Sequence, residues 1–394
     1  MCYSVSLMFK DEKITFVFIQ VTGWQSSTAV GGGPIFQESI AKWLVKKGFL
    51  VFAISNPSDI TSFSFLHERK LVAKYKNGDS NVLSWFFFSR SLLKSELIKI
   101  SQGIPKNAVY IITDPFPPDI MAAIYLKRTM GINPVVTMHH ITPSPFFHIF
   151  RRGIVRTFGA WIINIFALAT VKIFNIPVFL DNAKIASSSG WNLKGLLMEM
   201  PSSIDQFMTV KSCSGKHDAC FVGRLRSNKG ISDLIHCWKL VTKSIQDAHL
   251  TLIGSDTSGG KYQKMIDRLG LSSKIEITGY LSHTEKEKRM NQCTIFPFPS
   301  YEEGWSLAVM EAIDRGLLPI LYDIPAYDYV CSDEIKIKAG KITAFSTKII
   351  FYFINSEERQ KLVRKLQECN TKYSEEYVFK LWLRQIKDRF NIYE

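Results

Sequence analysis

Short apolar runs and longer amphipathic stretches take turns along this chain of 394 residues, and the alternation runs through it twice. In the first half, Ile14–Ile19, Leu50–Ile54, Val82–Phe87, Val109–Ile112, Val135–Met138, Val178–Leu180 and Leu196–Met198 have the length and residue types of strands. Phe36–Lys47, Ser91–Gln102 and Pro118–Met130 have helical spacing. The second half repeats the rhythm more cleanly. Strands are predicted at Ala219–Val222, His249–Ile253, Lys274–Ile277, Thr294–Phe298 and Leu318–Leu321. Helices are predicted near Ile231–Lys243, Lys261–Leu269, Thr284–Asn291 and Trp305–Asp314.

Strands alternating with helices imply parallel sheets covered on both faces. One core does not extend over a chain of this length. The pattern therefore predicts an α/β protein of two doubly wound domains facing each other across a cleft, with ligand at the carboxyl ends of the strands. The small, polar stretch Lys211-Ser212-Cys213-Ser214-Gly215-Lys216 marks a boundary, giving domains 1–207 and 208–374. Tyr377, Trp382, Ile386 and Phe390 share one helical face, so 375–394 is predicted to be a closing helix that packs back on the first domain and braces both.

Hydrophobic residues make up 46% and charged residues 21%, a globular composition that excludes a disordered chain. The net charge of +14 calls for an anionic partner. The seven cysteines are odd in number and form no C-x-x-C pair, so neither a zinc site nor a disulfide framework is expected, and a reducing cytoplasm is. The N-terminus lacks the basic and apolar regions of a signal peptide.

The segment Pro299-Ser300-Tyr301-Glu302-Glu303-Gly304-Trp305-Ser306-Leu307-Ala308-Val309-Met310-Glu311-Ala312 carries the chemistry. It leaves a buried strand, turns at Gly304 and opens a helix that Ser306 is placed to cap. A helix start offers unpaired N–H groups and partial positive charge to a phosphate. Glu303 and Glu311 stand eight residues apart, a rise of about 12 Å if helical, comparable to a nucleotide sugar. Carboxylates accept from sugar hydroxyls. Acidic residues at a helix start also serve the helix dipole alone, so the spacing by itself does not decide.

Further pieces lie in order around it: Met200-Pro201-Ser202-Ser203-Ile204-Asp205-Gln206-Phe207, Phe221-Val222-Gly223-Arg224-Leu225 with Lys229-Gly230, Leu252-Ile253-Gly254, and Ile277-Thr278-Gly279-Tyr280-Leu281. Together they resemble the retaining GT-B glycosyltransferases of glycosyltransferase family 4, over most of the chain and most closely in residues 200–330. The resemblance implies a hexosyl transfer from a nucleotide-sugar donor to a glycan or lipid-linked acceptor, with retention of configuration. The donor is a substrate, and no cofactor is implied.

Arg224 and Lys229 are similar to the family's basic pair on the donor diphosphate. Arg brings a planar fork and Lys a mobile point charge. Glu303 resembles the glutamate facing the donor sugar, and Glu311 the one that accepts from the ribose. Gly304 and the backbone N–H groups of Trp305, Ser306 and Leu307 are expected at the pyrophosphate, and the turn at Tyr280 at the base. Gly31, Gly32 and Gly33 follow the first strand, where a family Gly-Gly pair lets backbone approach the ligand; Gly31 and Gly32 are assigned, with the register open by one. His139 resembles the strand-end histidine beside the reacting sugar, although His140 is adjacent and Asp114 ends the preceding strand. Ser306 and Ala308 depart from the family's usual Gly and Pro, and Leu318 takes the place of a usual proline. No D-x-D occurs, so no metal is expected and the diphosphate charge falls to Arg224, Lys229 and the helix start.

Residues 146–174 are apolar and aromatic, with Arg151, Arg152 and Arg156 near their start. Such a segment suits either docking on the anionic inner face of a membrane or burial in the first domain. Other readings remain: a nucleotide-sugar epimerase or phosphorylase of the same architecture, or a basic nucleic-acid-binding protein. No nucleic-acid-binding motif accompanies the charge, so no nucleic acid is expected.

Overall fold

The computed structural model describes residues 14–20, 32–55, 63–66, 70–72, 104–105, 108–139, 141, 154–180, 191–193, 195–199 and 217–392. The predicted strand Val82–Phe87 and helix Ser91–Gln102, the segment 200–216, Gly31 and His140 lie outside them. The chain divides into two compact units. One comprises Met1–Gln25, Gly33–Met138 and Ile163–Phe179; the other comprises Ser26–Gly32, His139–Ile162 and Leu180–Glu394.

The first sheet holds β1 (Thr15–Gln20), β2 (Leu50–Ser55), β3 (Lys70–Val72), β4 (Val109–Ile112), β5 (Val135–Met138), β6 (Val178–Leu180) and β7 (Leu197–Glu199), in the order β3-β2-β1-β4-β5-β6-β7. β1 runs parallel to β2 and β4, β2 to β3, and β4 to β5. Every residue of β1, β4 and β5 is buried, which accounts for their unbroken apolar runs. The connecting helices are α1 (Gly32–Lys46), α2 (Pro117–Thr129) and α3 (Ile154–Ile173). Ala167, Leu168 and Val171 of α3 are buried, whereas Ile162 and Ile173 are exposed. Among the described residues no helix is long and apolar enough to cross a membrane.

The second sheet contains β8 (Asp218–Val222), β9 (His249–Ile253), β10 (Ile275–Gly279), β11 (Ile295–Phe298), β12 (Leu318–Tyr322) and β13 (Lys336–Ile337), in the order β10-β9-β8-β11-β12-β13. Every pairing in it is parallel. Its helices are α4 (Ile231–Ser244), α5 (Lys261–Arg268), α6 (His283–Met290), α7 (Leu307–Asp314), α8 (Ile342–Ile354), α9 (Ser356–Asn370) and α10 (Glu375–Phe390). The apolar faces of α4 to α9 and the strands make one core, with Trp238, Phe221, Phe296 and Tyr322 fully buried; the buried Val378, Phe379, Trp382 and Ile386 of α10 are not part of it. α6 opens with a capping box in which Ser282 Oγ accepts from the Glu285 N–H and Glu285 answers the Ser282 N–H.

One expectation is corrected. Cys331 and Cys369 form a disulfide, with Cα atoms 6.4 Å apart. Nothing in their spacing announces a pair, because α9 brings Cys369 beside the segment after β12 only when the domain is folded.

Candidate functional site

The second sheet reverses its winding between β8 and β11: β9 and β10 lie outward of β8, and β12 and β13 outward of β11. Chain segments leaving adjacent strands at such a point part company and leave room for a ligand. Arg224 and Lys229 follow β8; Glu303 and α7 follow β11.

Two glycines let these segments converge. The Gly223 N–H donates to Ile253 O at 2.9 Å and the Leu225 N–H to Ser255 O at 3.0 Å, fastening the end of β8 to that of β9. A Cβ on Gly254 would stand 2.1 Å from Gly223 O, so only glycine permits the approach. The chain then makes a 3₁₀ turn, Ser227–Lys229, ended by Gly230 at φ +68°. A Cβ there would meet Pro299 O at 2.0 Å. The turn consequently rests on the chain leaving β11, where the Tyr301 N–H donates to Asn228 O at 2.9 Å and Ser300 Oγ to the same oxygen at 3.3 Å. Behind it, Asp233 of α4 accepts from Tyr301 and, at 2.8 Å, from Tyr322.

This clamp brings Lys229 Nζ within 2.5 Å of Glu303 Oε1, with the two side chains 21% and 10% exposed. The ammonium also lies 5.6 Å from the centre of the Phe298 ring. Arg224 is half-buried beside the pair. Burial lowers its guanidinium pKa and the charge of Glu303 acts in the opposite direction; a guanidinium stays protonated throughout. Burial, then the same carboxylate, holds the Tyr327 and Tyr329 hydroxyls well above their ordinary pKa. Two cations, one carboxylate and neutral phenols thus occupy one half-buried corner.

α7 begins at Leu307, two residues later than the sequence predicts. Trp305 is held back: its ring stacks on Tyr329 at 4.2 Å, meets Tyr373 edge-on, and its indole N–H points at Met310 Sδ. Ser306 stands at the N-cap but with φ +86° and no side-chain capping bond, so the helix start lacks the hydroxyl cap expected of it. A β-carbon is disfavoured at that φ, which gives physical meaning to the departure from a usual glycine.

Glu311, on the second turn of α7, is not a bare acceptor. Lys286 Nζ reaches its Oε1 at 2.6 Å and Arg315 Nη2 the same oxygen at 3.2 Å. The Arg315 group also bonds Glu287 Oε1 at 2.5 Å.

Of the sequence-selected residues, Arg224, Lys229, Glu303, Gly304, Trp305, Ser306, Leu307 and Glu311 all lie on the segments that leave β8 and β11. Tyr280 stands at the end of β10, 68% exposed, and the Gly254 N–H to Gly279 O bond ties that end to β9. His139 directly follows β5 in the first sheet and is half-buried; Thr113 and buried Asp114 follow β4. Gly32 opens α1. Residues that sequence reasoning passed over are Tyr329 and Tyr373, which clamp Trp305, Asp233 behind the turn, and Lys286 and Arg315 around Glu311. Only Arg315 carried a signal, standing four residues after Glu311 on one helix face.

Comparison with known proteins bears on the same region. Residues 206–368 match the family model described as glycosyl transferases group 1. The chain is 32% identical over 116 residues to poly(glycerol-phosphate) alpha-glucosyltransferase of Bacillus subtilis (strain 168), covering 29% of this chain and 16% of that protein. It is 27% identical over 134 residues to GDP-mannose:cellobiosyl-diphosphopolyprenol alpha-mannosyltransferase of Xanthomonas oryzae pv. oryzae (strain PXO99A), covering 33% and 35%. These matches span well under half of either relative. Sucrose-phosphate synthase from Thermosynechococcus elongatus superposes with a TM-score of 0.77 at 13% identity, over 97% of this chain and 100% of that one. Anabaena HepE in complex with UDP and glucose gives 0.73 at 14% identity, over 95% and 100%. The likeness to these structures establishes the GT-B fold.

Proposed function

We propose that this protein, whose residues 206–368 match the family model of glycosyl transferases group 1, transfers a hexosyl group from a nucleotide-sugar donor to a glycan or lipid-linked acceptor, with retention and without a metal. The observation that carries the reading is the convergence of Arg224, Lys229 and Glu303 at the switch point, beside the start of α7. The donor pyrophosphate accepts from the N–H groups that open α7 and from Arg224 and Lys229. Glu303 turns from Lys229 toward the sugar hydroxyls, Glu311 meets the ribose, and Tyr280 and its turn face the base.

The chemistry follows from the charges. As the anomeric C–O bond lengthens, the leaving nucleoside diphosphate gains negative charge, and two half-buried cations stabilise it more than water does. The sugar becomes oxocarbenium-like, and the acceptor hydroxyl attacks the face the diphosphate is leaving, giving up its proton to the departing phosphate oxygen. The new bond then has the configuration of the old one. Glu303 acts by orientation, and His139 is assigned to the reacting sugar. Two cations and a helix start balance the diphosphate, which is the ground for a metal-independent reaction.

The apolar, partly exposed α3, with Ile162 and Ile173 outward, supports a contact with an anionic membrane where a lipid-linked acceptor resides. Matches to enzymes named for poly(glycerol-phosphate) and for cellobiosyl-diphosphopolyprenol agree with a glycan or lipid-linked acceptor.

Incubation with a panel of nucleotide sugars and lipid or glycan acceptors, with products read by mass spectrometry, tests the proposal. Glu303→Gln and Lys229→Ala are expected to fold and to lose most turnover. Full turnover in either folded variant, or a rearranged or phosphorolysed sugar in place of a transferred one, would overturn it.

A further inference from the structure

Both cations around Glu311 act on one of its two oxygens. Lys286 Nζ and Arg315 Nη2 each approach Oε1, at 2.6 and 3.2 Å. The same Arg315 Nη2 also bonds Glu287 Oε1 on α6 at 2.5 Å, and the Arg315 side chain is only 7% exposed. Its position is therefore fixed from two helices at once. Lys286 and Glu287 are neighbours on α6, so one turn of that helix supplies both the second cation and the anchor for the first.

A carboxylate on a flexible side chain has several rotamers and can offer either oxygen. With Oε1 held by two cations, the Glu311 carboxylate has less freedom, which favours Oε2 as the oxygen offered to a ligand. An acceptor fixed in this way loses little freedom when a hydroxyl arrives, and a site built to bond a hydroxyl rejects the analogue that lacks it.

We propose that Arg315 and Lys286 are positioning residues that pin Glu311 through Oε1 so that Oε2 reads the hydroxyl pair of a ribose, making the donor a ribonucleoside diphosphate sugar rather than a 2′-deoxyribonucleoside one. The inference rests on the reading of Glu311 as the ribose contact. Arg315 does not touch the nucleotide; it acts through Glu311.

Calorimetric titration with UDP, GDP and ADP identifies the nucleotide that binds, and its 2′-deoxy form is then compared. The wild-type protein is expected to bind the deoxy form about tenfold or more weakly, the scale of one charge-assisted hydrogen bond. In Arg315→Gln the ratio falls to about threefold or less, with Arg315→Lys between the two, while inorganic pyrophosphate binds each protein alike. Glu287→Gln, a change on a more exposed side chain, lowers the ratio part of the way and keeps the test open if Arg315→Gln does not fold. An undiminished ratio in folded Arg315→Gln or Glu287→Gln overturns the proposal. So does equal weakening of ribonucleotide, deoxyribonucleotide and pyrophosphate, the mark of a general structural role. A wild-type protein that binds nucleotides without discriminating overturns the role of Glu311, and one that binds no nucleotide overturns the functional reading beneath it.

Discussion

Gly230→Ala should damage this protein far more than an alanine at a glycine of the same backbone conformation elsewhere. Gly230 has φ +68°, and Gly259 has φ +69°. Alanine pays a similar penalty at both for the left-handed conformation, about 1 kcal/mol. Around Gly259 a new Cβ meets nothing within 4 Å. At Gly230 it would lie 2.0 Å from Pro299 O and 2.9 Å from Pro299 C, far inside the 3.4 Å at which ordinary contact begins. Both partners are backbone, so the turn must lift away. Lifting it breaks the Tyr301 N–H and Ser300 hydroxyl bonds to Asn228 O, at about 1 kcal/mol each. The expected cost is then about 3 kcal/mol for Gly230→Ala against about 1 kcal/mol for Gly259→Ala. Urea unfolding followed by tryptophan fluorescence measures the difference. Because Lys229 rides on the displaced turn, Gly230→Ala should also lose nucleotide affinity, and Gly259→Ala should keep it. Equal destabilisation by the two substitutions would refute the close approach on which the site is built.

Ser306→Gly should raise stability by about 1 kcal/mol, because it relieves a left-handed serine whose hydroxyl makes no capping bond; a loss of stability in thermal unfolding would contradict the strained N-cap. Reduction of the Cys331–Cys369 disulfide, or Cys369→Ser, should lower stability by about 2–4 kcal/mol, since the bond closes a long loop; unfolding curves that coincide with and without reductant would disprove it. Acid should weaken the Glu287–Arg315 pair. Burial acts to raise the Glu287 pKa, but the bond and charge of Arg315, with smaller contributions from His283 and Lys286, leave it below its ordinary 4.5. A carboxyl depressed in the folded state stabilises fully above that ordinary value, and the contribution drains away as pH falls through the folded one. The unfolding temperature should therefore drop below pH 4.5 less steeply in Glu287→Gln than in the wild type; identical slopes would count against the pair.

The second sheet was the more legible because its strands are short, apolar and separated by helices with clear one-sided patterns. β8, β9, β10, β11 and β12 fall within a residue or two of their expected places. β13 has two residues and β3 three, too few for any periodicity to register. α8, Ile342–Ile354, is apolar on nearly every side, and Phe351 and Ile354 remain exposed, so it carries no amphipathic stripe to read. At the site, Arg224, Lys229 and Glu303 were visible as types in order along the chain. Their union depends on Gly230 approaching Pro299, which no spacing reveals. The late start of α7 comes from Trp305 being held back by two tyrosines, stacked on Tyr329 and edge-on to Tyr373. Lys286 reaches Glu311 from a separate helix, and the disulfide joins segments 38 residues apart. Each of these is a tertiary event.

The central claim is that a nucleoside diphosphate is bound where Lys229 now meets Glu303. Titration of UDP, GDP and ADP into wild-type protein and into Lys229→Ala, by calorimetry at one fixed salt concentration, tests it most directly. One of the three should bind the wild type, and Lys229→Ala should weaken it about tenfold or more, the worth of one charge-assisted contact to phosphate. Binding of equal strength to both proteins, or of none of the three to the wild type, would contradict the account.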